Sequence, residues 1–182
     1  MKKIFRLFMI FACLSGSGVQ AQPREAIKRS TDILMFAPAA AGLATTLVKQ
    51  DYKGTLQLAL GTATSIAVSY GLKYSVKKRR PDGSDLHSFP SNHAGVAFAG
   101  ATFIQQRYGW KYSVPAYVTA VYVAWGRVYA KRHDMWDVLA GAAIGVGCSY
   151  IFTRPFAKKH QLNVAPVAFN GKQFGLHASM TF

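Results

Sequence analysis

Gly126-Arg127-Val128-Tyr129-Ala130-Lys131-Arg132-His133-Asp134-Met135-Trp136-Asp137 closes one apolar segment and opens the next. On the second of the two helices so implied, His133 and Asp137 stand four residues apart and share one face. A carboxylate in that place can hold one imidazole nitrogen as N–H and leave the other free to react. Arg127, at the end of the preceding segment, supplies a permanent cation for an anionic substrate. A histidine, an orienting acid and an anion clamp suit phosphoryl chemistry. Taken alone, the stretch reads equally well as a loop between two helices with solvated charges.

Outward from this stretch the chain is a series of apolar blocks. They run from Ile33 to Val48, Gly54 to Leu72, Ala94 to Gln106, Tyr112 to Gly126 and Val138 to Thr153. A full membrane span takes about 20 residues, with about 17 as a lower bound. Only the second block reaches that without its flanks, so a buried core in a soluble helical protein is the competing reading. Two features favour the bilayer. Charged stripes at helical period are missing from the blocks, and Gly141-Ala142-Ala143-Ile144-Gly145 suits close helix packing in lipid. The expectation is an all-α, membrane-embedded bundle of five or six helices. Trp110, Trp125 and Trp136 lie near block ends, where interfacial anchors belong.

Charge narrows the partners. The 182 residues hold 22 Lys and Arg against 7 acidic residues, a net charge of +15. Such an excess points to an anionic partner. The basic residues form no stripe interleaved with aromatics, so nucleic acid is not expected. They sit between apolar blocks, where loops meet anionic headgroups.

The ends of the chain differ from its middle. Residues 1–21 read as an export signal or a first membrane helix. Lys2, Lys3 and Arg6 precede an apolar run, and Val19-Gln20-Ala21 resembles a cleavage site. A main domain over 22–155 and a tail over 156–182 follow. In the tail, Phe174, Leu176, Ala178, Met180 and Phe182 alternate after Asn170-Gly171, the pattern of a short β-hairpin with Asn163 to Phe169. The two cysteines, Cys13 and Cys148, lie far apart in leader and last block, and neither reads as a disulfide partner or nucleophile.

Starting the topology with an outward crossing places the segments Lys73 to Asn92 and Arg127 to Asp134 on one, non-cytoplasmic side. The first of these carries the other half of the chemistry. Pro90-Ser91-Asn92 is a helix-start signal, with a polar side chain ready to cap the first turn. His93 then stands at a helix N-terminus, where free N–H groups and the dipole favour an anion.

Three motifs in this order resemble those of the type 2 phosphatidic acid phosphatase family, which also includes bacterial non-specific acid phosphatases and vanadium haloperoxidases. The first is Lys, six residues, Arg-Pro, here Lys73 to Pro81. The second, usually Pro-Ser-Gly-His, is here Pro90-Ser91-Asn92-His93. The third, usually Ser-Arg, five residues, His, three residues, Asp, is here Gly126-Arg127 followed by His133 and Asp137. The resemblance spans roughly Lys73 to Thr153, with every motif at the boundary of an apolar block. Two residues depart from the pattern. Asn92 stands for Gly, and Asn tolerates unusual backbone angles. Gly126 stands for Ser, which removes one hydroxyl from the phosphate site.

The resemblance implies a role for each residue. His133 is the nucleophile that forms a phosphohistidine, and Asp137 orients it. His93 protonates the leaving oxygen and then activates water. Lys73, Arg80 and Arg127 hold phosphate oxygens, and Ser91 and the Asn92 backbone add hydrogen bonds. No metal-ligand set and no cofactor site is implied, because the Lys and Arg residues carry the charge stabilisation. His87, His160 and His177 match no motif and read as surface or structural. Lys77, Lys78 and Arg79 read as facing headgroups. The expected activity is removal of phosphate from a lipid phosphate or diphosphate: lipid A, undecaprenyl diphosphate, phosphatidylglycerol phosphate or phosphatidic acid. The expected place is the inner membrane of a bacterial envelope, with the site facing the periplasm. A soluble periplasmic acid phosphatase and a non-catalytic lipid-binding protein on the same scaffold are the alternatives.

Overall fold

The computed structural model describes residues 23–156 and the backbone of 161–169 and 173–181. The expected export signal lies outside the described residues. Six helical segments follow one another: α1 (Pro23–Leu34), α2 (Ala37–Val48), α3 (Tyr52–Ser75), α4 (Asn92–Tyr108), α5 (Trp110–Tyr129) and α6 (Met135–Phe152). Four of the five apolar blocks each fall essentially within one helix, as expected, and the block Ile33 to Val48 is divided between the end of α1 and α2. A two-residue turn at Met35-Phe36 joins α1 to α2, and the stretch Arg24–Val48 is long and apolar enough to cross a membrane, as is Met135–Phe152.

One helix was not expected. The polar segment before Ile33 forms α1, with Pro23 at its start, Glu25 in its first turn and a Glu25–Lys28 ion pair of 3.2 Å along its face.

The core sits around α4, which packs against α2, α3, α5 and α6. From Ala94 to Ile104 its residues are almost all buried, with Val96, Ala97, Ala101, Phe103 and Ile104 joining Leu58, Ala120 and Val123 in one cluster. Two glycines on α6 make the closest of these contacts possible. A Cβ at Gly141 would lie 2.2 Å from the Ser91 carbonyl oxygen, and one at Gly145 would lie 2.2 Å from that of Gly95. The Gly-x-x-x-Gly spacing thus brings α6 against the backbone at the start of α4, where the site is built.

The outer surface is apolar. Val48, Leu56, Val118, Val121, Leu139 and Ile151 are all exposed, as are Trp110, Trp125 and Trp136. A surface of this kind is solvated by lipid rather than water. At the end remote from the α3–α4 loop, Arg107 donates from Nε to Asp51 at 2.7 Å and from Nη1 to the Arg154 carbonyl at 2.7 Å. These bonds tie the α2–α3 turn to the ends of α4 and α6 in a fully paired cluster.

The tail holds the expected hairpin. β1 (Gln161–Phe169) and β2 (Gln173–Thr181) pair antiparallel, with Ala165 opposite His177.

Candidate active site

Two loops meet at one end of the bundle: residues 76–91 between α3 and α4, and residues 130–134 between α5 and α6. Backbone bonds stitch them together. Asp82 N–H donates to the Lys131 carbonyl at 3.1 Å, and Ser91 N–H donates to the Asp137 carbonyl at 2.9 Å. Arg132 adds a bond from Nη1 to Asp82 at 2.9 Å. The three sequence motifs, separated by up to 64 positions, are thereby brought to one place.

His133 is 3 % exposed. Its Nδ1 lies 2.9 Å from the Ser88 carbonyl and 3.7 Å from the Asp137 carboxylate. A carbonyl only accepts, so Nδ1 carries the proton and Nε2 keeps its lone pair. Orientation of the ring therefore comes from Ser88, while Asp137, beyond hydrogen-bond length, contributes charge. The expectation from sequence assigned orientation of the ring to Asp137; the structure adds the Ser88 carbonyl as the group in hydrogen-bond contact with Nδ1. Ser88 also donates from Oγ to Asp137. Burial pushes the imidazole below its ordinary histidine value. The Arg127 and Lys73 cations add to that, and Asp137 opposes it.

Asp137 is fully buried at the start of α6 and held from three sides. With Asp134 it forms a capping box, Asp137 N–H donating to Asp134 at 2.9 Å. Lys78 donates to Asp137 at 2.8 Å and lies 2.5 Å from Asp134. Lys78 is thus not a headgroup-facing lysine, contrary to the reading from sequence. Partial burial works against its charge, but the bonds to Asp134 and Asp137 hold the ammonium above the ordinary lysine value.

The cations differ in what they have left to offer. Lys73, in the last turn of α3, donates to the carbonyls of His87 at 2.9 Å and Pro90 at 2.8 Å. It pins the loop, and one of its three N–H bonds remains. Arg80 sits 3.4 Å from Asp85, and its Nε is buried with no partner. Arg127 is 3 % exposed, bonds Asp32 through Nη1 at 2.5 Å and likewise has a buried, unpartnered Nε. Buried guanidinium N–H groups without acceptors are costly in a folded protein unless a ligand fills them.

Ser91 is fully buried, and its Oγ accepts from Ala94 N–H as the cap of α4, so its hydroxyl is engaged in the fold. By helix geometry the N–H groups of Asn92 and His93 have no intrahelical partner. Asn92 Oδ1 is a buried acceptor without a donor. His93 lies in the first turn of α4 with Nε2 2.9 Å from Asp32. Sequence reasoning passed over Ser88 and Asp32, and placed Lys78 at the headgroups. Only Asp32 left a trace in the sequence, as one of just seven acidic residues, placed at the edge of an apolar block.

Gly126 is explained by packing. A Cβ there would lie 2.5 Å from Thr31 Cγ2 and 3.1 Å from Ile27 Cγ2. Helix α1 lies against the spot where a serine side chain would begin.

Residues 54–161 match the PAP2 superfamily. The chain is 34 % identical over 139 residues to a lipid A 4'-phosphatase of Helicobacter pylori, covering 70 % of each protein. It is 41 % identical over 91 residues to a lipid A 1-phosphatase of Porphyromonas gingivalis, covering 48 % of this chain and 20 % of that protein. Among solved structures, a transmembrane PAP2-type phosphatidylglycerolphosphate phosphatase of Bacillus subtilis superposes with a TM-score of 0.57 at 22 % identity, over 82 % of this chain and 92 % of the other. That likeness is one of fold.

Proposed function

The chain belongs to the PAP2 superfamily, and from that premise we propose that it is a metal-independent lipid phosphatase of the bacterial envelope. Its substrate on this reading is a phosphate monoester of lipid A, acted on at the periplasmic face. Lipid A is preferred over undecaprenyl diphosphate and phospholipid substrates because the curated relatives above carry lipid A phosphatase names. The observation that carries the reading is the His133 ring. It is buried and fixed by the Ser88 carbonyl with Nε2 unprotonated, at the same end of the bundle as three guanidinium groups, those of Arg80, Arg127 and Arg132, whose buried Nε–H donors have no partner.

The reaction runs in two halves. His133 Nε2 attacks phosphorus, the bond from phosphorus to the lipid oxygen breaks, and His93 gives that oxygen a proton. Water then attacks the phosphohistidine, with His93 taking back a proton, and inorganic phosphate leaves. Arg80, Arg127 and the remaining N–H of Lys73 hold the equatorial oxygens. The Asn92 and His93 amides add a helix N-terminus. Asp137, held by Ser88 and Lys78, balances the cation that forms on His133. Exposed apolar surface keeps the lipid chains in the bilayer while only the headgroup reaches the loops.

The test is phosphate release from lipid A by purified protein in detergent, with products identified by mass spectrometry and His133→Ala as control. Release that persists in His133→Ala removes the nucleophile. Release from undecaprenyl diphosphate or phosphatidic acid but not lipid A removes the substrate assignment.

A further inference from the structure

Asp32 lies on α1, outside the matched residues 54–161 and outside all three motifs. Its Oδ1 is the meeting point of two groups of the site: His93 Nε2 at 2.9 Å and Arg127 Nη1 at 2.5 Å. The helix that carries it is fastened to α5. Ser30 Oγ and the Tyr122 hydroxyl are 2.9 Å apart, Arg127 Nη1 lies 3.4 Å from Thr31 Oγ1, and Thr31 and Ile27 pack on Gly126. We propose that Asp32 is a positioning residue for the reaction, fixing the His93 ring through Nε2 so that Nδ1 is the nitrogen presented to the leaving group.

An ionised carboxylate only accepts, so Nε2 carries a hydrogen wherever Asp32 holds it. His93 therefore enters the step as the imidazolium, with a hydrogen on each nitrogen, and the proton that moves is the one on Nδ1. When the His133 Nε2–phosphorus bond forms and the phosphorus–oxygen bond breaks, Nδ1–H goes to the departing oxygen. The neutral ring keeps its Nε2–H on Asp32. In the second half Nδ1 takes a proton from the attacking water, and the carboxylate ends as it began. The same oxygen holds Nη1 of Arg127, which leaves the buried Nε of that guanidinium for the phosphate. Gly126 fits this arrangement, because a side chain there would push away the helix that delivers the carboxylate.

The inference rests on the reading of the chain as a histidine-dependent phosphatase, and the experiment separates the two. Purified full-length protein, Asp32→Asn and Asp32→Glu are assayed on lipid A and on 4-nitrophenyl phosphate, whose leaving group departs without a proton. Asp32→Asn is expected to lose about tenfold or more in kcat on lipid A, with a several-fold smaller loss on the aryl phosphate. Asp32→Glu is expected to recover part of the loss. Equal losses on both substrates, as a folding defect would give, overturn the proposal. So does an unchanged rate, and so does a gain, which would mark Asp32 as an anion occluding Arg127. If the parent protein releases phosphate from neither compound, the phosphatase reading itself falls. The 15N shifts of the His93 ring then still decide the geometry: an Nε2–H tautomer lost in Asp32→Asn supports it, and an Nδ1–H tautomer in the parent overturns it.

Discussion

Gly126→Ser restores the serine that the third motif usually carries, and it is expected to damage the protein. A Cβ at this position lies 2.5 Å from Thr31 Cγ2, whereas carbon atoms in contact sit about 3.5–4.0 Å apart. One of the two helices must yield by about 1 Å. Overpacking of this size costs about 1–3 kcal/mol. Helix α1 is the element that moves, since α5 also packs on α4, α2 and α6 while α1 rests mainly on α5. A retreat of about 1 Å takes the Asp32–His93 contact from 2.9 Å out of hydrogen-bond range. Misplacement of that order at a catalytic group costs roughly 10²-fold in rate. The second substitution Thr31→Ser removes Cγ2 while keeping Oγ1, and the next Thr31 atom, Cβ, stands at 3.8 Å. Ile27 Cγ2 on the same helix still stands at 3.1 Å, so the double variant is expected to regain part of the activity and stability lost by Gly126→Ser. Phosphate release and the thermal midpoint in detergent check both variants. A Gly126→Ser protein as active and as stable as the parent refutes the reasoning, as does a double variant that regains neither.

Other expectations concern the core of the site. The nucleophile reacts as neutral imidazole, and burial together with Arg127 and Lys73 holds His133 below its ordinary value. It stays unprotonated until pH falls through that lowered value, so the acid limb of kcat/KM is expected below about pH 6.5; a limb at or above that value contradicts the environment described. Lys78→Met leaves Asp134 and Asp137 without their shared cation, and about a tenfold or greater fall in kcat is expected. Unchanged kinetics would return Lys78 to the headgroup-facing class. Ser88→Ala keeps the carbonyl that holds His133 and removes only the bond to Asp137, so it is expected to cost less than Lys78→Met. Chelator treatment is expected to leave phosphate release intact, and restoration of a chelated sample by a divalent metal would refute metal independence.

The helices were legible because their apolar blocks are uninterrupted and bounded by Pro, Gly and charge. Gly54 to Leu72 lies within α3 and Val138 to Thr153 nearly coincides with α6. The proximity of the motifs was legible too, since an even number of crossings returns both loops to one side. Two kinds of information were not. Backbone partners leave no mark on side-chain identity: the group that orients His133 is the Ser88 carbonyl, which any residue would supply. Long-range ion pairs are equally silent. Nothing in Lys77-Lys78-Arg79 tells which cation turns inward, and only the structure places Lys78 on Asp137. Helix α1 was missed because its charged residues suggest a linker, although Pro23 and the Glu25–Lys28 spacing are helix signals.

Acid scarcity links the departure at Gly126 to the site. Of seven acidic residues, every one is engaged with a cation: Glu25 with Lys28, Asp51 with Arg107, Asp82 with Arg132, Asp85 with Arg80, Asp134 and Asp137 with Lys78, and Asp32 with Arg127. In a chain of net charge +15 the carboxylates are placed where cations need fixed partners. Asp32 alone among them faces both a guanidinium and a histidine of the motifs. Its helix reaches them only because position 126 has no side chain. The bare backbone at position 126 and the carboxylate at position 32 thus belong to one packing arrangement.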